Sequence, residues 1–162
     1  MAISQPTKAE QYLATSTPFY DMRSPGNPLF ELVSRLVFTA AGFTTAAAGD
    51  LQLLRLPGGR IRIRTDLSRI VCPIGTATSD LDIGLSAYTK PDGSAQVAQP
   101  IVFADSLDVG GGAINQNLPL PAGGNLVVDS IGGADVVCSF DTANSPAAGV
   151  LILTIIYQRD TP

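Results

Sequence analysis

The 162 residues contain no histidine and no tryptophan. Without imidazole there can be no Ser-His-Asp or Cys-His catalysis, and the commonest metal ligand and the usual general base near neutral pH are also missing. The two cysteines, Cys72 and Cys138, are too few for a zinc site or a disulfide-built scaffold. They read as small buried side chains on strands, with free thiols. No apolar run approaches the roughly 20 residues that span a bilayer, and the most apolar stretch, 147–156, is far shorter. The opening MAISQPTKAEQ lacks the apolar core of a signal peptide. No phosphate-cradling GxxxxGK loop occurs. Gly110-Gly111-Gly112 has no lysine after it and no helix start, so it reads as a turn. No cofactor, membrane partner or small-molecule substrate is expected.

Charge is scarce as well. Charged residues make up 15% of the chain and hydrophobic ones 45%. An isolated soluble domain usually carries more charge, so part of the surface is expected to be buried against partners. The net charge of −4 argues against direct binding along a nucleic-acid backbone. Among the acids, Asp80 and Asp82 lie one strand repeat apart and would share a face, with Asp105 and Asp108 nearby in sequence. Such carboxylates could hydrolyse glycosides or hold calcium. Aspartates that cap turns and solvate strand faces give the same pattern.

What the chain does have is β-forming residues and turn formers. Gly (16) and Pro (12) punctuate stretches rich in Val, Ile and Thr. Residues 1–30 stand apart. Pro6, Pro18, Pro25 and Pro28 leave no room for a useful strand, and a helix fits only near 8–15. The segment still carries anchor-type side chains, including Tyr12, Phe19, Tyr20, Met22 and Phe30. It reads either as an extended arm reaching a neighbouring subunit or as a strap folded over its own core. Residues 31–162 read as one domain. Strands are expected at 32–43, 51–56, 60–64, 68–74, 80–87, 125–131, 134–140 and 149–158. The stretch 96–108 reads as either a short helix or a long crossing loop. Gly132-Gly133 sits between two strand patterns at hairpin spacing. About eight short strands with little helix predict an all-β, antiparallel β-sandwich, jelly-roll-like in its wiring, with an extended N-terminal arm. The last strand, GVLILTIIYQ, is apolar on both faces, which suits a central strand or one covered by a partner.

The arginines are the best functional hint. Arg55, Arg60, Arg62, Arg64 and Arg69 are five of the ten basic residues and fall within fifteen positions, while lysine occurs only at 8 and 90. Arg-Ile-Arg-Ile-Arg at 60–64 alternates with period 2, so three arginines share a face. They form either a solvated outer face or a basic stripe that docks on an acidic partner surface.

The run AAAGDLQLLRLPGGRIRI, with its Ala48-Gly49-Asp50 turn, its Leu56-Pro57-Gly58-Gly59 turn and the strand holding Ile61 and Ile63, resembles a pattern in small virion proteins of tailed phages. GTATSDLDIGLSAY resembles the next strand of that pattern, and LPLPAGGNLVVDSIGG and GVLILTIIYQ resemble its closing strands. The resemblance covers roughly 30–158, and its family is the head decoration, or cement, proteins of tailed bacteriophages. It implies a β-sandwich on the capsid exterior, made in the host cytoplasm. Its partners would be the major capsid protein and further copies of itself, a trimer ahead of a dimer. It brings no catalytic residues, so the chain is not expected to be an enzyme. A tail, neck or fibre-base protein of a phage has the same composition logic. A sugar-binding sandwich would need exposed aromatics near acids, and only Tyr88 lies near Asp80 and Asp82 in sequence.

Overall fold

The computed structural model describes residues 17–19, 29–38, 51–73, 75, 78–119, 126–141, 146 and 148–160. No helix occurs among them, so none is long and apolar enough to cross a membrane. The strands are β1 (Thr17–Phe19), β2 (Leu29–Phe38), β3 (Leu51–Leu56), β4 (Gly59–Ile63), β5 (Arg69–Cys72), β6 (Asp80–Leu85), β7 (Tyr88–Thr89), β8 (Ala95–Gln96), β9 (Gln99–Asp108), β10 (Ile114–Asn117), β11 (Leu126–Ser130), β12 (Ala134–Asp141) and β13 (Gly149–Arg159).

All pairings are antiparallel. One sheet runs β1-β2-β13-β4-β11, with β5 also on β13 and β10 on β5; the second runs β3-β12-β6-β9. The strands β4 and β5 lie end to end along one side of β13, opposite Tyr157–Arg159 and Ile152–Thr154 respectively. With the short strands β1, β7 and β8 set aside, and β4 with β5 and β10 with β11 each counted as one strand position, eight positions remain. The sheets then read first-eighth-third-sixth and second-seventh-fourth-fifth, an order compatible with the expected jelly-roll wiring.

Period-2 alternation builds the core. Ile61 and Ile63 of β4, Ile70 and Cys72 of β5, and Leu151, Leu153 and Ile155 of β13 point inward from the larger sheet. Leu81, Ile83 and Leu85 of β6, Phe103 of β9, and Val136, Cys138 and Phe140 of β12 meet them from the smaller one. The hydroxyl of Ser34 donates to the Leu53 carbonyl at 2.5 Å, joining β2 to β3 across the sandwich. Both cysteines are buried and free.

Several expected elements move. The strand expected at 32–43 begins at Leu29, and residues 39–43 fall outside the described set. A three-residue strand, β1, does form at Pro18, on the outer edge of β2, where a missing amide is tolerated. The ambiguous stretch 96–108 is neither helix nor loop but mainly the edge strand β9, which also tolerates Pro100. Its pairing with β6 slips twice. At the slip Ser106 takes a φ of 51°, and the buried Asp82 carboxylate accepts the Ser106 amide at 2.7 Å. Gly132-Gly133 does not close a hairpin. The strand β11 pairs with β4 in one sheet and β12 with β3 and β6 in the other, so the turn changes sheets. The Pro57-Gly58-Gly59 turn makes the reverse change beside it. A Cβ on Gly133, at φ 90°, would strike the Leu56 carbonyl oxygen, and one on Gly58 would strike that of Ile131. Glycine is required there by backbone crowding between two sheet-switching turns.

Candidate partner-binding surfaces

The arginine face forms as the alternation predicts, but its charges are largely matched within the chain. Arg60 and Arg62 point outward from β4, and both reach Asp160, at 3.3 and 3.4 Å. Arg64 pairs with Asp66 at 2.8 Å, and this guanidinium holds the Asp66 carboxyl below the usual carboxylate range. These carboxylates offset the repulsion among three neighbouring arginines. Arg55 belongs to the other sheet, where it pairs with Asp135 at 2.8 Å and donates to the Gly132 carbonyl at 2.9 Å. Arg69, on β5, donates to the side-chain oxygen of Asn115 at 2.7 Å. The five therefore lie on two sheets. The Arg60 and Arg62 pairs are partly solvent-exposed and share one carboxylate, so replacing both arginines by alanine should lower stability by about 1 kcal/mol, read by urea denaturation.

Of the anchor residues in the first thirty, Tyr12, Tyr20 and Met22 lie outside the described residues. Phe19 lies in β1, opposite Leu29. Phe30 packs on the core, its ring stacked on Tyr157 with centroids 5.2 Å apart.

A surface that the arginine run did not reveal lies on the outer face of the larger sheet. The register puts Val37 beside Val150, Arg35 beside Ile152, and Val33 beside Thr154. On the far side of β13, Val71 flanks Ile152 and Arg69 flanks Thr154. Val33, Val37, Val71, Val150, Ile152 and Ile156 are half-buried on this face. Arg35 is exposed and makes no ion pair or hydrogen bond among the described residues. The two-sided apolar character of β13 pointed here. The matching row on β2 was hidden because LFELVSRLVF mixes inward and outward apolar residues.

Of the acidic residues, the register sets Asp80 opposite Asp108 of β9. Asp82 is buried against β9, and Asp108 accepts the Gly111 amide at 2.8 Å in a turn. Among the described residues no three carboxylates or thiols come together as a metal set. Tyr88 sits elsewhere, in an open concavity of about 380 Å³ with Lys90, Asp92, Gln96, Val127 and Asp129. There the Ser94 hydroxyl and amide hold the Asp92 carboxyl below its usual range, while burial, and then Asp129, push the Tyr88 phenol up.

No family model matches the chain, and no curated protein does. Among solved structures the chain is similar to one from the "acidic stable capsid structure of Helicobacter pylori bacteriophage KHP30". The two are 13% identical, with a TM-score of 0.43, over 91% of this chain and 95% of that one.

Proposed function

We propose that the chain is a structural protein of a bacteriophage particle, and within it a capsid decoration, or cement, protein. It binds the major capsid protein lattice from outside, as a homo-oligomer, and stabilises it. The observation that carries this reading is the outer face of the larger sheet. There apolar side chains of β2, β5 and β13 surround Arg35 and Arg69, neither of which has a carboxylate partner among the described residues. Apolar area with unneutralised arginine is the composition of a protein interface, because arginine sheds its weakly held water readily and pairs in a planar, two-pronged way. The low overall charge and the anchor residues Tyr12, Phe19, Tyr20 and Met22 support the same reading, whereas Phe30 is used within the chain's own core.

The test is co-sedimentation with capsids lacking the protein. Arg35→Glu combined with Ile152→Lys should lower occupancy at least tenfold, about 1.4 kcal/mol, while the melting temperature of the free protein stays close to wild type. Removing residues 1–28 should also lower occupancy. Full occupancy in both cases would sink the proposal. Electron microscopy of the particle separates the tail, neck or fibre-base alternative, which requires a few copies at one vertex and none across the head.

A further inference from the structure

We propose that a second copy of this chain docks on the end of the sandwich formed by the β7–β8 hairpin and the β11–β12 turn. This deepens the homo-oligomer part of the reading above and rests on it, but it uses a different surface from the capsid-binding face.

Large apolar side chains left exposed are few among the described residues, and most of them gather here. Val97 (73% exposed), Val127 and Ile131 (61% exposed) belong to this end, while Ile101 is on the edge strand β9 and Leu67 in the turn before β5. A hairpin of two residue pairs is marginal by itself. This one is fixed to the sandwich, because the Thr89 carbonyl accepts the Ile131 amide at 3.0 Å. Its turn is fixed as well. Asp92 accepts the Ser94 amide and hydroxyl at 2.8 and 2.6 Å, and Gly93 supplies a φ of 81°. The exposed valines and Ile131 thus sit on a set backbone, beside the concavity that holds Tyr88 and Val127.

The charges identify the occupant. Lys90 and Asp129 both line the concavity, and neither forms an ion pair among the described residues. Asp92 lines it too, its carboxylate held by Ser94, so the hollow carries one cation and two carboxylates without an ion pair. A surface that offers an apolar projection, a hollow and charges of both signs is complementary to itself. Two copies can meet through it with Lys90 of one against Asp129 of the other, and the contact can close about a rotation axis. A partner of one charge sign would leave Lys90 or Asp129 unmatched.

Sedimentation of the full chain in the absence of capsids tests this. The wild type should sediment as a closed oligomer at micromolar concentration. Val97→Asp and Ile131→Asp should each weaken association at least tenfold, with circular dichroism unchanged. Lys90→Asp and Asp129→Lys should each weaken it too, and the double variant should regain association. A monomeric wild type, single variants that associate like wild type, or a double variant no better than the singles would overturn the proposal. Because no capsid is present, such a failure is distinct from a loss of capsid binding. Arg35→Glu, which belongs to the capsid-binding test, should leave sedimentation unchanged; a change would move the self-contact to the sheet face and overturn it equally.

Discussion

Gly84→Ala should destabilise the protein by about 3 kcal/mol or more, although it adds one methyl group to a strand. Gly84 is buried near the end of β6, between Ile83 and Leu85, which point into the core. Its own missing side chain faces the other way, where β9 crosses over. A Cβ there would overlap the carbonyl oxygen of Gln99 and the carbonyl group of Pro100. Both are backbone, so no rotamer change can relieve the overlap. The register shows why the chain comes so close: Leu85 lies opposite Gln99 and Ile83 opposite Ala104, so β9 spends five steps where β6 spends two. Making room means lifting β9 off β6, and β9 carries Phe103, one of the largest fully buried side chains. Urea denaturation of Gly84→Ala and Gly112→Ala decides the matter. Gly112 has no atom within 4 Å of its would-be Cβ and should tolerate alanine within about 0.5 kcal/mol. Equal stability of the two variants would show that β9 does not press on β6.

Gly84 illustrates what the sequence could and could not disclose. Strands with a clean period of 2 were legible. The Arg-Ile alternation at 60–64 put Ile61 and Ile63 inside, and β13 is central, one of the two readings its apolar faces allowed. Strands that pair without alternation were not. YT of β7, AQ of β8 and INQN of β10 carry too little apolar signal to be read, and β9 is broken by its bulges and by Pro100. Spacing also failed at Gly132-Gly133, because strands that pair with each other and strands that part into different sheets leave the same pattern at the turn. The arginine face was legible as a face but not as a charge, since its neutralising Asp160 lies about a hundred residues away in the chain. The proposed partner surface had the opposite difficulty. Its residues come from β2, β5 and β13, and only pairing brings Val33, Arg35, Val71 and Ile152 onto one face.

The protein should lose stability steeply above pH 9, and the cysteines should be the largest cause. Cys72 and Cys138 are completely buried, one on each sheet, within the same apolar core. Burial pushes the Cys72 thiol up to about 12. Burial raises the Cys138 thiol as well, and the neighbouring Cys72 adds to the effect. In the unfolded chain both thiols ionise near pH 8.5. Between that value and the folded one, the folded protein holds protons that the unfolded chain has released. Stability is therefore fully present below about pH 8.5 and falls as pH rises, by roughly 3 kcal/mol at pH 11 from Cys72 alone. The phenols of Tyr157 and Tyr88, both raised by burial, act in the same direction at higher pH. Denaturant midpoints measured from pH 7 to 11 should stay level and then drop, and a Cys72→Ala/Cys138→Ala variant should show a much shallower drop from a lower plateau. A thiol reagent at pH 8 should label neither cysteine until the protein is unfolded. Rapid labelling of the native protein, or an unchanged alkaline slope in the double variant, would mean that the thiols are not held neutral between the sheets.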